Sequence, residues 1–97
     1  MPELIAQEEL DAALRDLDGW GLVEGGTGIE KEFLFKGFSA AFGFISRVAL
    51  AAERHNHHPE WSNVYNRVNI RWTTHSKGGV TDLDLKLARI CERIVAA

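Results

Sequence analysis

The 97-residue chain has one cysteine, two prolines, one methionine and one tyrosine, and each scarcity excludes something. A lone Cys91 cannot form an internal disulfide, so the fold has to hold without staples and suits a reducing compartment. No stretch approaches the ~18 apolar residues needed to cross a bilayer. The opening Met1-Pro2-Glu3-Leu4-Ile5 carries no basic n-region, which predicts no signal peptide. Positive charge is not in excess: 11 Lys and Arg against 14 Asp and Glu leave a net charge of −3, the wrong footprint for direct nucleic-acid binding. What remains is a cytoplasmic single domain over residues 1–97. Its hydrophobic fraction of 45% is ordinary for a globular protein, and a chain of this size buries roughly 60–65% of its unfolded surface.

Apolar spacing supplies the elements. Leu10, Ala13, Leu14 and Leu17 recur at helical intervals, which predicts an amphipathic helix over 7–17, stopped by Gly19. Trp20–Val23 and Ile29–Phe35 read as a hairpin around Glu24-Gly25-Gly26-Thr27-Gly28. Those glycines are no phosphate loop, because the Gly-Lys-Ser/Thr ending is missing and a strand follows. Ser39 is the expected N-cap of a long helix over about 40–56. That helix carries two apolar stripes: Phe38, Phe42, Ile45, Ala49 and Ala52, then Phe44, Val48 and Ala51. With the first stripe on the sheet, the second is surplus and predicts self-association, since such a patch usually marks an interface. One broad core-facing stripe is the plainer alternative.

Pro59 turns the chain out of helix. Trp61–Val64 and Arg67–His75 read as the next two strands, the latter with Val68, Ile70 and Trp72 on one face. Thr81-Asp82-Leu83-Asp84 is a capping box opening the last helix, with Leu83, Leu87, Ile90 and Ile94 as its stripe. The order α-β-β-α-β-β-α predicts an α+β fold, a four-stranded antiparallel sheet with helices packed on one face.

Against this frame the histidines stand out. Three of the four lie in His55-Asn56-His57-His58 and the fourth is His75. Imidazole, with a reference pKa of about 6.5, both gives and takes protons near neutrality. Glu53 and His57 are four apart, so Glu53 is placed to hold His57 at the helix end, where the dipole favours an imidazolium. Asp84 is expected near His75, although capping alone explains it. His55 beside Arg54 reads as solvated and Glu60 as a surface carboxylate. Trp61, Tyr65 and Trp72 read first as core and second as stacking surfaces. A three-histidine zinc site is the rival reading, but His-Asn-His-His lacks the His-Glu-x-x-His spacing, and no metal is assigned. A Cys91 nucleophile is weaker still, on a semi-buried face of the last helix.

Glu53-x-x-x-His57-His58-Pro59, then Tyr65, His75 and Asp84, resembles the signature of the pterin-4a-carbinolamine dehydratase family. Phe42-Gly43-Phe44, Arg47-Val48-Ala49-Leu50 and the run from His57 to Asn66 resemble it as well, so the similarity spans about residues 20–95. Asn56 replaces the Asp of animal members and Lys77 replaces their Cys. The resemblance implies three helices against one side of a four-stranded sheet, dimers joining their sheets and, in animal members, tetramers built through the long helix. It implies a hydro-lyase that eliminates water from 4a-hydroxytetrahydrobiopterin to give quinonoid dihydropterin, recycling the cofactor of aromatic amino-acid hydroxylases. His57 and His75 would be the acids, while His58 would position the pterin and take the N5 proton. Glu53, Pro59, Trp61, Tyr65 and Asp84 would bind or orient. Neither metal nor cofactor is implied, the pterin being the substrate. Animal members have a second role as dimerisation cofactors of a homeodomain transcription factor, so a non-catalytic binding module is the alternative. Some similar bacterial sequences occur without an aromatic hydroxylase, which leaves the pathway served open.

Overall fold

A computed structural model describes residues 3–97; Met1 and Pro2, where the signal-peptide reading and the domain range begin, lie outside the described residues. The chain runs α1 (Gln7–Asp16), β1 (Gly21–Leu22), β2 (Ile29–Leu34), α2 (Phe38–Arg54), β3 (Glu60–Val64), β4 (Arg67–Trp72), a 3-10 turn (His75–Lys77) and α3 (Asp82–Ala96). The expected element order and antiparallel sheet are present. Two hairpins, β1–β2 and β3–β4, meet through β2 and β4, giving the order β1-β2-β4-β3.

Period-two alternation in β4 decides which face is covered. Val68, Ile70 and Trp72 are fully buried, while Arg67, Asn69 and Arg71 are not. Against the buried face lie Phe44 and Val48 of α2, Leu87, Ala88 and Cys91 of α3, and Leu10 of α1. Each large side chain so buried contributes about 1.5–3 kcal/mol. Phe44 packs against Phe33 and Phe35, ring centroids 4.7 and 5.0 Å away. On the other side of the core, Glu92 of α3 accepts from Trp20 Nε1 at 2.9 Å and from Lys31 Nζ at 2.8 Å, tying α3 to the first hairpin.

The large side chains of the two α2 stripes are the reverse of the expectation, while Ala52 of the first stripe is buried as expected. Phe44 and Val48 are each 1% exposed and sit in the core with Ala41 and Ala52, whereas Phe38, Phe42 and Leu50 are 52%, 56% and 71% exposed. Ile45 is half-buried beside the core. Both stripes obey helical spacing and lie about a third of a turn apart, so periodicity alone does not rank them. Phe33 of β2 and Phe35 just beyond it do, by accepting Phe44. The helix also begins two residues early, with extended Gly37 as N-cap and no side-chain cap from Ser39. In α3 the expected stripe is only half right: Leu87 is core, but Leu83, Ile90 and Ile94 flank it, and Leu85, Ala88 and Cys91 do the burying. Cys91 is fully buried rather than semi-buried.

His75 also departs from expectation. Pairing in β4 stops at Trp72, and His75 opens the 3-10 turn. The turn closes because the Lys77 and Gly78 amides both donate to Thr74 O at 3.0 Å. Gly78 follows at φ +68°, a left-handed conformation that glycine adopts without a steric penalty.

Candidate active site

The end of α2 explains how adjacent histidines come to do different things. His57 N donates to Ala52 O at 3.0 Å and Asn56 N to Glu53 O at 3.1 Å, the two bonds of a Schellman motif. Its left-handed residue is Asn56, at φ +50°. Asparagine tolerates that conformation better than most side-chain-bearing residues, so Asn56 is a helix terminator rather than a missing carboxylate partner. His55 also serves the helix end, since its Nδ1–H donates to Ala51 O at 2.9 Å. The helix stops at Arg54, so the four-residue spacing from Glu53 to His57 is no longer helical. Glu53 Oε1 pairs instead with His58 Nε2 at 2.9 Å.

His57 turns inward. Its ring stacks on Trp72, with centroids 5.8 Å apart and planes 16° from parallel, and its Nε2 lies 2.5 Å from Asp84 Oδ1. Asp84 is fully buried. Its other oxygen accepts from Thr74 Oγ1 and from the Thr81 amide, both at 2.8 Å. A carboxylate can only accept, and a hydroxyl has one proton to give. Thr74 therefore donates to Asp84, and Thr81, whose hydroxyl lies 2.8 Å from that of Thr74, donates to Thr74. By the same logic His57 carries a proton on Nε2 and turns Nδ1 away from Asp84. The capping box of α3 is intact, so one carboxylate caps a helix and orients an imidazole. It was expected to reach His75; it reaches His57.

His75 has its own carboxylate. Its Nε2 lies 3.0 Å from Glu60 Oε2, with side-chain exposures of 74% and 47%. Both line a cavity of about 230 Å³ together with Arg71, Thr73, Thr27 and Gly28. Gly28 is needed at its wall: a Cβ there would come within 3.0 Å of Trp72 O and 3.3 Å of Thr73 Cβ. The cavity is somewhat smaller than the roughly 300–1,000 Å³ typical of drug-sized ligands.

Three histidines thus meet three carboxylates: His57 with Asp84, His58 with Glu53 and His75 with Glu60. His58 and Glu53 are mostly exposed. His58 is joined to the cavity wall through half-buried Pro59, which leads directly into Glu60. Trp61, 38% exposed on edge strand β3, borders a shallower depression with Glu60 and Arg71. Tyr65 does not join the group. It forms the β3–β4 turn at φ +51°, beyond the Val64–Arg67 pair and so at the opposite end of the hairpin from Glu60–Arg71.

Thr74, Glu60 and Arg71 join the candidate group by their contacts with Asp84 and His75 and with one another, and were not singled out as site residues from the sequence. The available signal was hairpin register: the two-residue Tyr65-Asn66 turn pairs Val64 with Arg67 and therefore Glu60 with Arg71. Among the described residues no group of three or more His, Cys, Asp or Glu is placed to hold a metal ion, and no helix is long and apolar enough to cross a membrane. Cys91 is no nucleophile: burial is the main cause that pushes its thiol up to about 12. The Trp72 indole N–H is buried without a hydrogen-bond partner among the described residues.

Residues 3–94 match the model of a family described as pterin 4 alpha carbinolamine dehydratase. A Rhodopseudomonas palustris protein provisionally named pterin-4-alpha-carbinolamine dehydratase is 51% identical over 96 residues, covering 99% of this chain and 95% of that one. A Brucella ovis protein with the same provisional name is 53% identical over 85 residues, 88% of each chain. The crystal structure of a Brucella melitensis transcriptional coactivator/pterin dehydratase superposes with a TM-score of 0.91 at 50% identity, covering 95% of this chain and 98% of that one.

Proposed function

The chain belongs to the pterin-4a-carbinolamine dehydratase family, and from that premise we propose that it eliminates water from a 4a-hydroxytetrahydropterin, with 4a-hydroxytetrahydrobiopterin as the natural candidate. The C4a–O bond breaks as the departing hydroxide takes a proton. N5 gives up its proton, and the freed pair forms C4a=N5, leaving quinonoid dihydropterin and water. No electrons are gained or lost, so the reaction needs no redox partner, and the proton donors can replace a metal as the activator of the leaving group.

The observation that carries the reading is the pairing of His57, His58 and His75, each with a carboxylate, through Nε2. That pairing turns Nδ1 of each ring away from its carboxylate. His57 and His75 are then the acids at the hydroxyl, and His58 positions the ring and accepts the N5 proton. Each acid–base contribution is of the order of 10²–10⁴-fold. Asp84 and Glu53 orient their imidazoles, Pro59 fixes the backbone between His58 and β3, and Trp61 borders the depression next to Glu60 as a binding residue. Tyr65 has no part in this chain's own pocket. The wider setting we propose is cytoplasmic recycling of the pterin cofactor of an aromatic amino-acid hydroxylase. We also propose a homodimer or homotetramer associated through Phe38, Phe42 and Leu50, which takes the place of the Phe44–Val48 stripe.

The test is the dehydration rate of a synthetic 4a-hydroxytetrahydropterin with purified protein and a chelator. Acceleration is expected; activity lost on chelation and regained with zinc would move the proposal to a metal mechanism. The second reading, a binding module or coactivator, is favoured by the exposed Phe38–Phe42–Leu50 ridge. A spontaneous rate left unchanged by the protein would favour it.

A further inference from the structure

We propose that Glu60 is a positioning residue for His75, holding the direction of its ring through an acid–base chain that crosses three strands. The proposal takes the dehydratase reading as the source of its catalytic consequence, while the ring geometry stands without it.

Strand register creates the chain. Glu60 of β3 and Glu30 of β2 are both directly opposite Arg71 of β4, so all three side chains emerge on the sheet face that carries no helix. Arg71 Nη2 lies 3.1 Å from Glu30 Oε1, and its Nη1 lies 3.9 Å from Glu60 Oε1. The two oxygens of Glu60 are therefore divided: Oε1 faces the guanidinium and Oε2 lies 3.0 Å from His75 Nε2, an ion-pair contact. Lys77 on the same 3-10 turn is directed elsewhere, toward Glu3 at 3.8 Å. The His75 backbone is fixed by its turn, but its side chain is 74% exposed and has the Glu60 carboxylate as its ion-pair partner. Without that carboxylate the ring would sample its rotamers freely.

So exposed a pair adds little to folding stability. It acts when the cavity fills, because a ring lying against His75, Glu60 and Arg71 excludes water and strengthens the same interactions. The ring of His75 is then already aimed, and the freedom a general acid must lose has been removed beforehand.

A kinetic double-mutant cycle tests this. Glu60→Ala is expected to lower kcat about 10–100-fold with KM changed less than about threefold, yet to change kcat less than about twofold when added to His75→Ala. A purely structural role would cost the same in both backgrounds, and such additivity would overturn the proposal. A second measurement uses no substrate: three-bond couplings of the His75 side chain by NMR. One dominant χ1 rotamer is expected in the wild type and averaging in Glu60→Ala, with His58 unaffected. A His75 rotamer that persists without Glu60 would also overturn it. A wild type without dehydratase activity would instead sink the proposed function, and the couplings would then decide the positioning role alone.

Discussion

His57–Asp84 and His75–Glu60 are the same chemical pair built in opposite ways. The first is enclosed, with side-chain exposures of 10% and 0%; the second stands open at 74% and 47%. The enclosed pair is held by parts of the chain that fold together: the end of α2, Thr74 after β4, and the first turn of α3. It cannot move without disturbing the core. The open pair owes its geometry to strand register and a short turn, and it gains strength once something covers it. Burial makes one histidine an extension of the fold and leaves the other adjustable. A site that must grip a ring yet let it leave benefits from having one of each.

The sharpest way to break this contrast is Asp84→Ala. It leaves His57, Thr74 and the Thr81 amide without their acceptor inside the protein. The expected loss is about 3–5 kcal/mol of folding stability, seen as a Tm lowered by more than about 12 °C. A loss below about 1 kcal/mol in urea unfolding would mean that the network contributes little and that the enclosed pair is no more structural than the open one.

Next come the histidines. His57→Ala and His75→Ala are both expected to lower kcat by about 10–10³-fold. Their stabilities should differ. Removing His57 strands a buried carboxylate and costs about 1–3 kcal/mol, whereas removing exposed His75 should stay within about 0.5 kcal/mol. Equal stability losses would erase the distinction.

The two faces of α2 pose the same question for apolar side chains. Val48→Glu places a charge in the core and should unfold the chain. Leu50→Glu should leave the monomer folded and reduce the mass seen by light scattering. A wild-type mass already near 10.8 kDa would remove the self-association proposal. The smallest effect is at Cys91. With its thiol pushed up to about 12 by burial, it stays neutral near pH 7–8, and thiol reagents should label it only after denaturant is added.

Element order and type were legible in the sequence because strand alternation and helical spacing are local. The capping box of Thr81 and Asp84 was legible for the same reason. What escaped was choice among equals. Two stripes on α2 were equally periodic, and only packing against Phe33 and Phe35, at the end of the preceding strand and just past it, selects Phe44. Glu53 lay at helical spacing from His57, but an asparagine in left-handed conformation ends the helix first and hands Glu53 to His58. Asp84 was read as capping residue or site residue, when its two oxygens allow both. Glu60 passed for a solvated carboxylate because its partner, His75, lies 15 positions away along the sequence.

The Thr81 amide donates to Asp84 Oδ2 at 2.8 Å, and the same carboxylate holds His57, 27 positions earlier in the chain. The first turn of α3 therefore cannot fray without letting go of that imidazole. Hydrogen–deuterium exchange at this one amide becomes a clock for opening of the site. It should run as slowly as exchange at the centre of β4, rather than at the quick rate usual for the first residues of a helix. Any small molecule that clamps His57 should slow it further, by an amount fixed by its affinity, which gives a way to find ligands before any reaction has been assayed.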